Sequence, residues 1–495
     1  MGGVEKNDLE QIVSINGIET ALTATLNFTK LHETETVIYN MPRNILDLTS
    51  RSTVDSIIVK RAKGDYVSVF DAGIRQISAY SCNTVTVTLR STNAFIGDTG
   101  LSPVTTFEHF DLKVTDGYEL IGVCPYNVNR NDLDMIVFLP EVNIPVKMNS
   151  IIAETEWGKW IFNAAPNYKF SRDALTLGFD QRIHFDSIEP LSFGFFRSMF
   201  RKFTSFLQIL GGELVTVNEL RLYDEEDIQR RQSYEFIGHT NFPLDRLRLL
   251  KGNGMDTTWF LRKSIFKISD FQEIGTALNT WFTLEEQLSL ANGAYERILL
   301  DGDVNIVTVN GFLAAMQLVE GYSSVFSQVE ADREEFEIIK ERLIAKCQNE
   351  EEKGFLEKYC SYSGETFRKM LKEFTFEGLN VLSPQSKSRF DKIHDSFISK
   401  IKNERDVDTH SSTTIEPTFE RSKLASITTI YKHFYRINIL LQLGLSPDEI
   451  RQRLFLNRKF RAVIEDYFGV SLEFISENEN EMSFDSLMRY FSQTK

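Results

Sequence analysis

Lys251-Gly252-Asn253-Gly254 divides this 495-residue sequence into two parts with different periodicities. Two glycines around an asparagine are turn chemistry, and the hydrophobic pattern changes across them. Upstream, short apolar runs alternate with polar residues. The cleanest is Asn83-Thr84-Val85-Thr86-Val87-Thr88-Leu89-Arg90, apolar at every second position, as a strand with one buried face requires. Further strands are expected at 22–28, 55–60, 107–114, 134–139, 175–180, 214–223 and 234–237. One helix interrupts them at 191–210. It places Phe196, Met199, Phe200, Phe203, Leu207 and Leu210 on one face and meets a stop signal at Gly211-Gly212. Strands with one packed helix predict a mainly antiparallel, β-rich domain over residues 1–255 of an α+β multidomain chain.

Downstream the period becomes helical. Asp270 is read as the cap of a helix to about Leu288, followed by helices at 304–326, 334–346 and 386–403. Leu424, Ile427, Tyr431, Phe434, Ile437 and Leu441 then draw one apolar stripe on a helix stopped by Gly444. Ser446-Pro447-Asp448-Glu449 opens the next helix, with Ser as N-cap, Pro in the first position and Glu closing a capping box. The result is an all-α bundle over 256–470. The segment 471–495, with Glu473, Glu477, Glu479, Glu481 and Asp485, reads as an acidic, solvated tail.

Composition sets limits on function. With 42% hydrophobic and 12% aromatic residues the chain can bury real cores. A net charge of −15 opposes unspecific binding to nucleic acid, which depends on neutralising phosphates, and leaves only local basic patches for that purpose. Cys82, Cys124, Cys347 and Cys360 have no C-x-x-C spacing, so neither a disulfide framework nor a zinc site is expected. The start Met1-Gly2-Gly3-Val4-Glu5-Lys6 lacks a secretory pattern. The most apolar helix is broken by Arg197, Arg201 and Lys202 and cannot span a membrane, so a cytoplasmic protein is expected.

No phosphate-binding glycine loop or H-E-x-x-H occurs, and no cofactor or metal is expected. Asp132 and Asp134 share a strand face but sit in an Asn129-Arg130-Asn131 turn context. His32, His109, His184, His239 and His433 are scattered without ligand spacing and read as core or surface histidines.

Chemistry concentrates in Ile401-Lys402-Asn403-Glu404-Arg405-Asp406-Val407-Asp408-Thr409-His410. A permanently charged guanidinium precedes, by five residues, an imidazole that titrates near neutrality. These are the two groups that metal-free RNA cleavage needs. With seven histidines, about one such spacing arises by chance, and Arg389 with His394 is a second instance inside a charged helix. The Arg405 pair is distinguished by Asp406 and by the loss of helical pattern at Ser411-Ser412-Thr413-Thr414, which predicts that it lies at a fraying helix end. The plain alternative is a surface charge pair in which His410 complements a helix dipole.

Arg405-Asp406-x3-His410 resembles the Arg-polar-x3-His signature of HEPN ribonuclease domains. The stretch Lys402 to His410 between two long helices is most similar to the HEPN domain of the ApeA family of bacterial abortive-infection proteins. Asn310-Gly311-Phe312-Leu313-Ala314-Ala315-Met316-Gln317-Leu318-Val319-Glu320-Gly321-Tyr322 resembles that family's first HEPN helix, with its glutamate at Glu320. The resemblance covers about residues 256–470, and the β-rich region looks like the family's amino-terminal domain.

It implies an anti-phage endoribonuclease acting without metal or nucleotide. The RNA 2′-hydroxyl attacks the adjacent phosphorus, His410 serves as general acid or base and Arg405 as phosphate clamp, with Asp406 and Glu320 in support. It further implies two HEPN domains facing each other in a homodimer or higher homo-oligomer. The substrate would be an RNA, tRNA among the candidates, and a phage-encoded trigger would relieve restraint by the amino-terminal domain. Asp406 and Glu320 read equally as exposed helix carboxylates. Arg453, Arg458, Lys459 and Arg461, in a basic run with Arg451, would grip RNA phosphates or form a solvated face. The rival reading of the whole chain is a non-catalytic HEPN module that binds RNA or protein.

Overall fold

The computed structural model describes residues 9–29, 33–43, 53–79, 83–114, 117–123, 127–129, 141–143, 150–170, 175–223, 233–238, 266–301, 309–326, 329–347, 349–360, 367–382, 384–410, 419, 421–455 and 460–464. The chain forms two compact units. One comprises 1–207, 215–255 and 267–279, the other 208–214, 256–266 and 280–495. A single cut after residue 255 therefore does not describe the division, because 208–214 groups with the helices and 267–279 with the strands. The expected strand at 134–139, the 251–254 turn and the acidic tail lie outside the described residues.

Every strand pairing among the described residues of the first unit is antiparallel. Its strands are β1 (Glu10–Ile15), β2 (Ile18–Glu19), β3 (Thr23–Phe28), β4 (Thr34–Pro42), β5 (Thr53–Lys60), β6 (Tyr66–Ala79), β7 (Thr84–Ser91), β8 (Asn93–Gly97) and β9 (Thr106–Val114). After a short helix α1 (Gly117–Ile121) come β10 (Asn127–Asn129), β11 (Glu141–Asn143), β12 (Ser150–Thr155), β13 (Gly158–Phe170) and β14 (Leu175–Ser192). The long helix α2 (Phe193–Gly211) precedes β15 (Val217–Tyr223) and β16 (Ser233–Gly238). In the β1–β2 hairpin Asn16 and Gly17 both take positive φ, 50° and 78°, the two-residue turn whose twist matches that of the strands.

Pairing runs β6–β5–β1–β3–β4–β7 and returns to β6, so six strands close into a barrel without free edges. The expected alternation of β7 is realised, with Val85, Val87 and Leu89 at most 2% exposed among the barrel's apolar residues. Strand β6 belongs to two surfaces. Its Gly73–Ala79 half pairs with β7, while Tyr66–Phe70 pairs with β8. Between them Asp71 takes φ 52°, with its carboxylate accepting the Asn93 side-chain amide at 3.2 Å.

From β8 an open sheet continues through β16, β15, β9, β14 and β13 to β12. Helix α2 packs on it with the predicted face. Phe200 meets Phe110 edge-on at 4.7 Å and Phe203 stacks on Trp160 at 4.6 Å. All of these rings are fully buried, the condition under which aromatic pairs contribute most to a core.

The second unit is helical. It contains the end of α3 (Ile274–Gln287), then α4 (Ser289–Asp301), α5 (Val309–Phe326), α6 (Val329–Ile344), α7 (Glu350–Tyr359), α8 (Phe367–Leu382), α9 (Pro384–His410), α10 (Arg421–Gln442) and α11 (Pro447–Phe455). Asp270 does not cap α3 as expected. It ends a 3-10 turn, Ile268–Asp270, and its carboxylate accepts the Lys267 N–H at 2.8 Å. The α10 stripe is buried at Leu424, Ile427, Tyr431, Phe434 and Ile437. Gly444, at φ 93°, lets the Leu445 N–H reach back to the Leu440 carbonyl at 3.0 Å and end the helix. The capping box at α11 is formed, with the Glu449 N–H on Ser446 Oγ at 3.2 Å and the Ser446 N–H on Glu449 Oε2 at 2.9 Å.

Helix α5 is the centre of the bundle, contacting α4, α8, α9 and α10. Gly321 makes the α4 approach feasible, since a Cβ there would lie 2.8 Å from the Ala291 backbone nitrogen. We expect Gly321→Val to lower unfolding stability by about 1–3 kcal/mol, as overpacking does. Denaturant unfolding checks this, and an unchanged midpoint would contradict the close packing.

Candidate active site

The Arg405 segment remains helical where its sequence predicted fraying. Helix α9 continues past 403 and closes on His410. An ion pair spaced by four residues supports the last turns, with Lys402 Nζ donating to Asp406 Oδ2 at 2.7 Å. Thr409 Oγ1 donates to the Arg405 carbonyl at 2.7 Å, which satisfies the hydroxyl without adding to helix stability. Position 410 therefore lies about 7.5 Å along the axis from position 405 and about 140° around it.

Arg405 is held from three directions. Its Nη2 donates to Glu320 Oε1 of α5, its Nη1 reaches Asp406 Oδ1 at 3.4 Å, and its Cζ stands 4.6 Å over the Phe367 ring at the start of α8. The side chains of Arg405, Glu320 and Asp406 are 26%, 32% and 25% exposed, so the cluster opens to solvent. At such exposure an ion pair contributes only about 0–1 kcal/mol, and its main consequence is geometric: three helices fix one guanidinium. Partial burial raises the Asp406 pKa, but hydrogen bonds and charge from Lys402 and Arg405 outweigh it and hold the carboxyl below its usual range. Asp406 is thus an anion at neutral pH.

Two neighbours had no signal in the sequence. Phe367 supplies the aromatic platform. Glu404, 3% exposed, accepts the Phe419 N–H at 3.1 Å and ties the chain beyond the helix back to it. The basic run is mixed. Arg453 is half-buried on α11, while Arg451 donates to the Val381 carbonyl at 3.1 Å and pairs with Asp448. Arg461 is only 7% exposed, which corrects its assignment to a phosphate-gripping surface. Arg458 and Lys459 lie outside the described residues, as does the side chain of His410.

Among the described residues no cluster with metal-ligand spacing occurs in the helical unit. The group that has such spacing, His109, His184 and Asp186, lies on the open sheet, so the reading of those two histidines as scattered is corrected. No helix among the described residues is long and apolar enough to cross a membrane.

An antiparallel β unit is thus joined to a helical unit in which the longest helix among the described residues ends in Arg405-x4-His410. The model for ApeA N-terminal domain 1 matches residues 12–281, and that for Apea-like HEPN matches residues 313–449. The chain belongs to the ApeA family and carries that family's C-terminal HEPN domain. HEPN domains are typically ribonucleases and commonly dimerise, and the ApeA pairing points to anti-phage defence. No curated protein and no solved structure matches the chain.

Proposed function

We propose that this chain is an anti-phage abortive-infection endoribonuclease that cuts RNA without metal at a composite site built by two HEPN domains. The observation that carries the reading is the guanidinium of Arg405, oriented by Glu320 and Asp406 and backed by Phe367, on the helix that ends at His410. A fixed, permanently charged fork suits the non-bridging oxygens of a phosphate whose charge grows during attack. The 2′-hydroxyl loses its proton as its oxygen bonds to phosphorus, and the 5′-oxygen takes one as it leaves. His410 supplies one of these transfers. The separation of positions 405 and 410 on one helix favours sharing between subunits, with one chain's groups on one side of the phosphate and its partner's on the other. The β-rich unit restrains the nuclease until a phage component relieves it, in a cytoplasm whose own RNA, tRNA among the candidates, is the target. Arg453, with Arg458 and Lys459, contributes phosphate contacts beside the site.

A second reading rests on the same cluster. Two carboxylates neutralise Arg405, which favours a non-catalytic module in which the pair only pins α5 to α9. Cleavage of RNA by the purified full chain in EDTA, leaving 2′,3′-cyclic phosphate ends by mass, is expected. Intact RNA, from both the untreated chain and the chain relieved of its amino-terminal unit by limited proteolysis, would favour the module. Glu320→Gln should reduce cleavage about tenfold to hundredfold while leaving the thermal midpoint nearly unchanged, because a displaced clamp costs rate rather than stability.

A further inference from the structure

The open sheet of the first unit presents a polar outer face. Alternate residues of three neighbouring strands share it: His109 and Asp111 on β9, His184 and Asp186 on β14, and Tyr223 on β15. Between them Phe110, Phe185 and Leu222 are buried on the opposite side. Register sets Asp186 opposite His109 and His184 opposite Asp111, so the order of acid and imidazole is reversed between strands. Both histidines thereby converge on one carboxylate. His109 Nδ1 and His184 Nε2 each lie 2.7 Å from Asp186 Oδ1.

The other nitrogen of His184 shows what the arrangement is for. His184 Nδ1 lies 2.7 Å from Asp111 Oδ1, and Asp111 Oδ2 accepts the Tyr223 hydroxyl at 2.8 Å. Both nitrogens of His184 therefore face carboxylate oxygens, and with Nδ1–H donated to Asp111 a metal ion would take the place of the proton between Nε2 and Asp186. A carboxylate that fixes a histidine's tautomer from behind, and is itself anchored, is the usual outer support of a metal-bound imidazole.

We propose that His109, His184 and Asp186 bind a divalent transition-metal ion, zinc foremost, with Asp111 and Tyr223 as the hydrogen-bonded support. Two imidazole nitrogens and one carboxylate oxygen are a donor set that zinc accepts, and three protein ligands leave a fourth tetrahedral position open. Donor atoms about 2.1 Å from zinc stand about 3.4 Å apart in a tetrahedron, so the present 2.7 Å separations must open by about 0.7 Å. His109 and Asp186 are 31% and 35% exposed and can make that adjustment by small side-chain rotations. The site lies in the amino-terminal unit and does not depend on the nuclease reading.

The full chain, stripped with a chelator and titrated with Zn²⁺ by calorimetry, is expected to take up one ion per chain. His184→Ala and His109→Gln should each abolish that uptake, and Asp111→Asn should weaken it about tenfold to hundredfold, the usual cost of losing outer support. Co²⁺ should give visible absorption bands of tetrahedral intensity in the wild type and lose them in His109→Gln. Should His184→Ala fail to fold by circular dichroism, His109→Gln at the more exposed position decides. Absence of stoichiometric zinc in the wild type, or undiminished affinity in His109→Gln, would overturn the assignment.

Discussion

Replacing His410 with alanine should lower RNA cleavage by about 10²- to 10⁴-fold, the usual worth of a placed proton-transfer group. The helix should remain intact, since His410 is the last residue of α9 and alanine is a better helix former. Arg405→Ala should cost a comparable factor, about 10²- to 10³-fold, through loss of charge stabilisation. Arg405→Lys should restore little, because a point charge cannot fork between Glu320 and a phosphate. Single-turnover rates on one defined RNA, with circular dichroism on each variant, make the comparison. Full activity in His410→Ala would remove the proposed chemistry and leave Arg405 as a helix-pinning residue.

The second large effect concerns concentration. If both subunits contribute groups to one site, a separated chain is inactive, and below the dimer dissociation constant a tenfold dilution should lower the total rate about hundredfold. Sedimentation run beside the assay fixes where that regime begins. A rate that stayed proportional to concentration well into the monomer range would show that one chain suffices. His410 and Arg405 would then have to reach one phosphate despite lying about 140° apart on their helix.

The parts of the molecule that could be read from sequence are those where local pattern and tertiary packing agree. The alternation of Val85, Val87 and Leu89, the aromatic face of α2 and the Ser446 to Glu449 capping box each carry their own signal and each form as expected. Glu320 and Asp406 read equally in the sequence as supports of the site or as exposed helix carboxylates, and only the packing of α5 against α9 brings Glu320 to Arg405. Side-chain pairing misled the reading of α9. Asn403, Asp406 and Asp408 are weak helix formers, yet the Lys402–Asp406 pair and the Arg405 contacts to Glu320 and Phe367 hold the last turns in place. Phe367 could not be anticipated because only the packing of α8 brings it under Arg405. His109 and His184 are far apart in sequence. Only the register of β9 against β14 joins them, and strand order is not written in any local pattern.

Strand β6 is at once a stave of the barrel and a member of the open sheet, joined at Asp71 with no intervening linker. The two halves of the amino-terminal unit therefore share a continuous lattice of main-chain hydrogen bonds. A tug delivered at either half is transmitted through that lattice without slack. Such a body should melt in one step, and a protease cut between Ala79 and Thr84 should leave the nicked fragments clasped together rather than released.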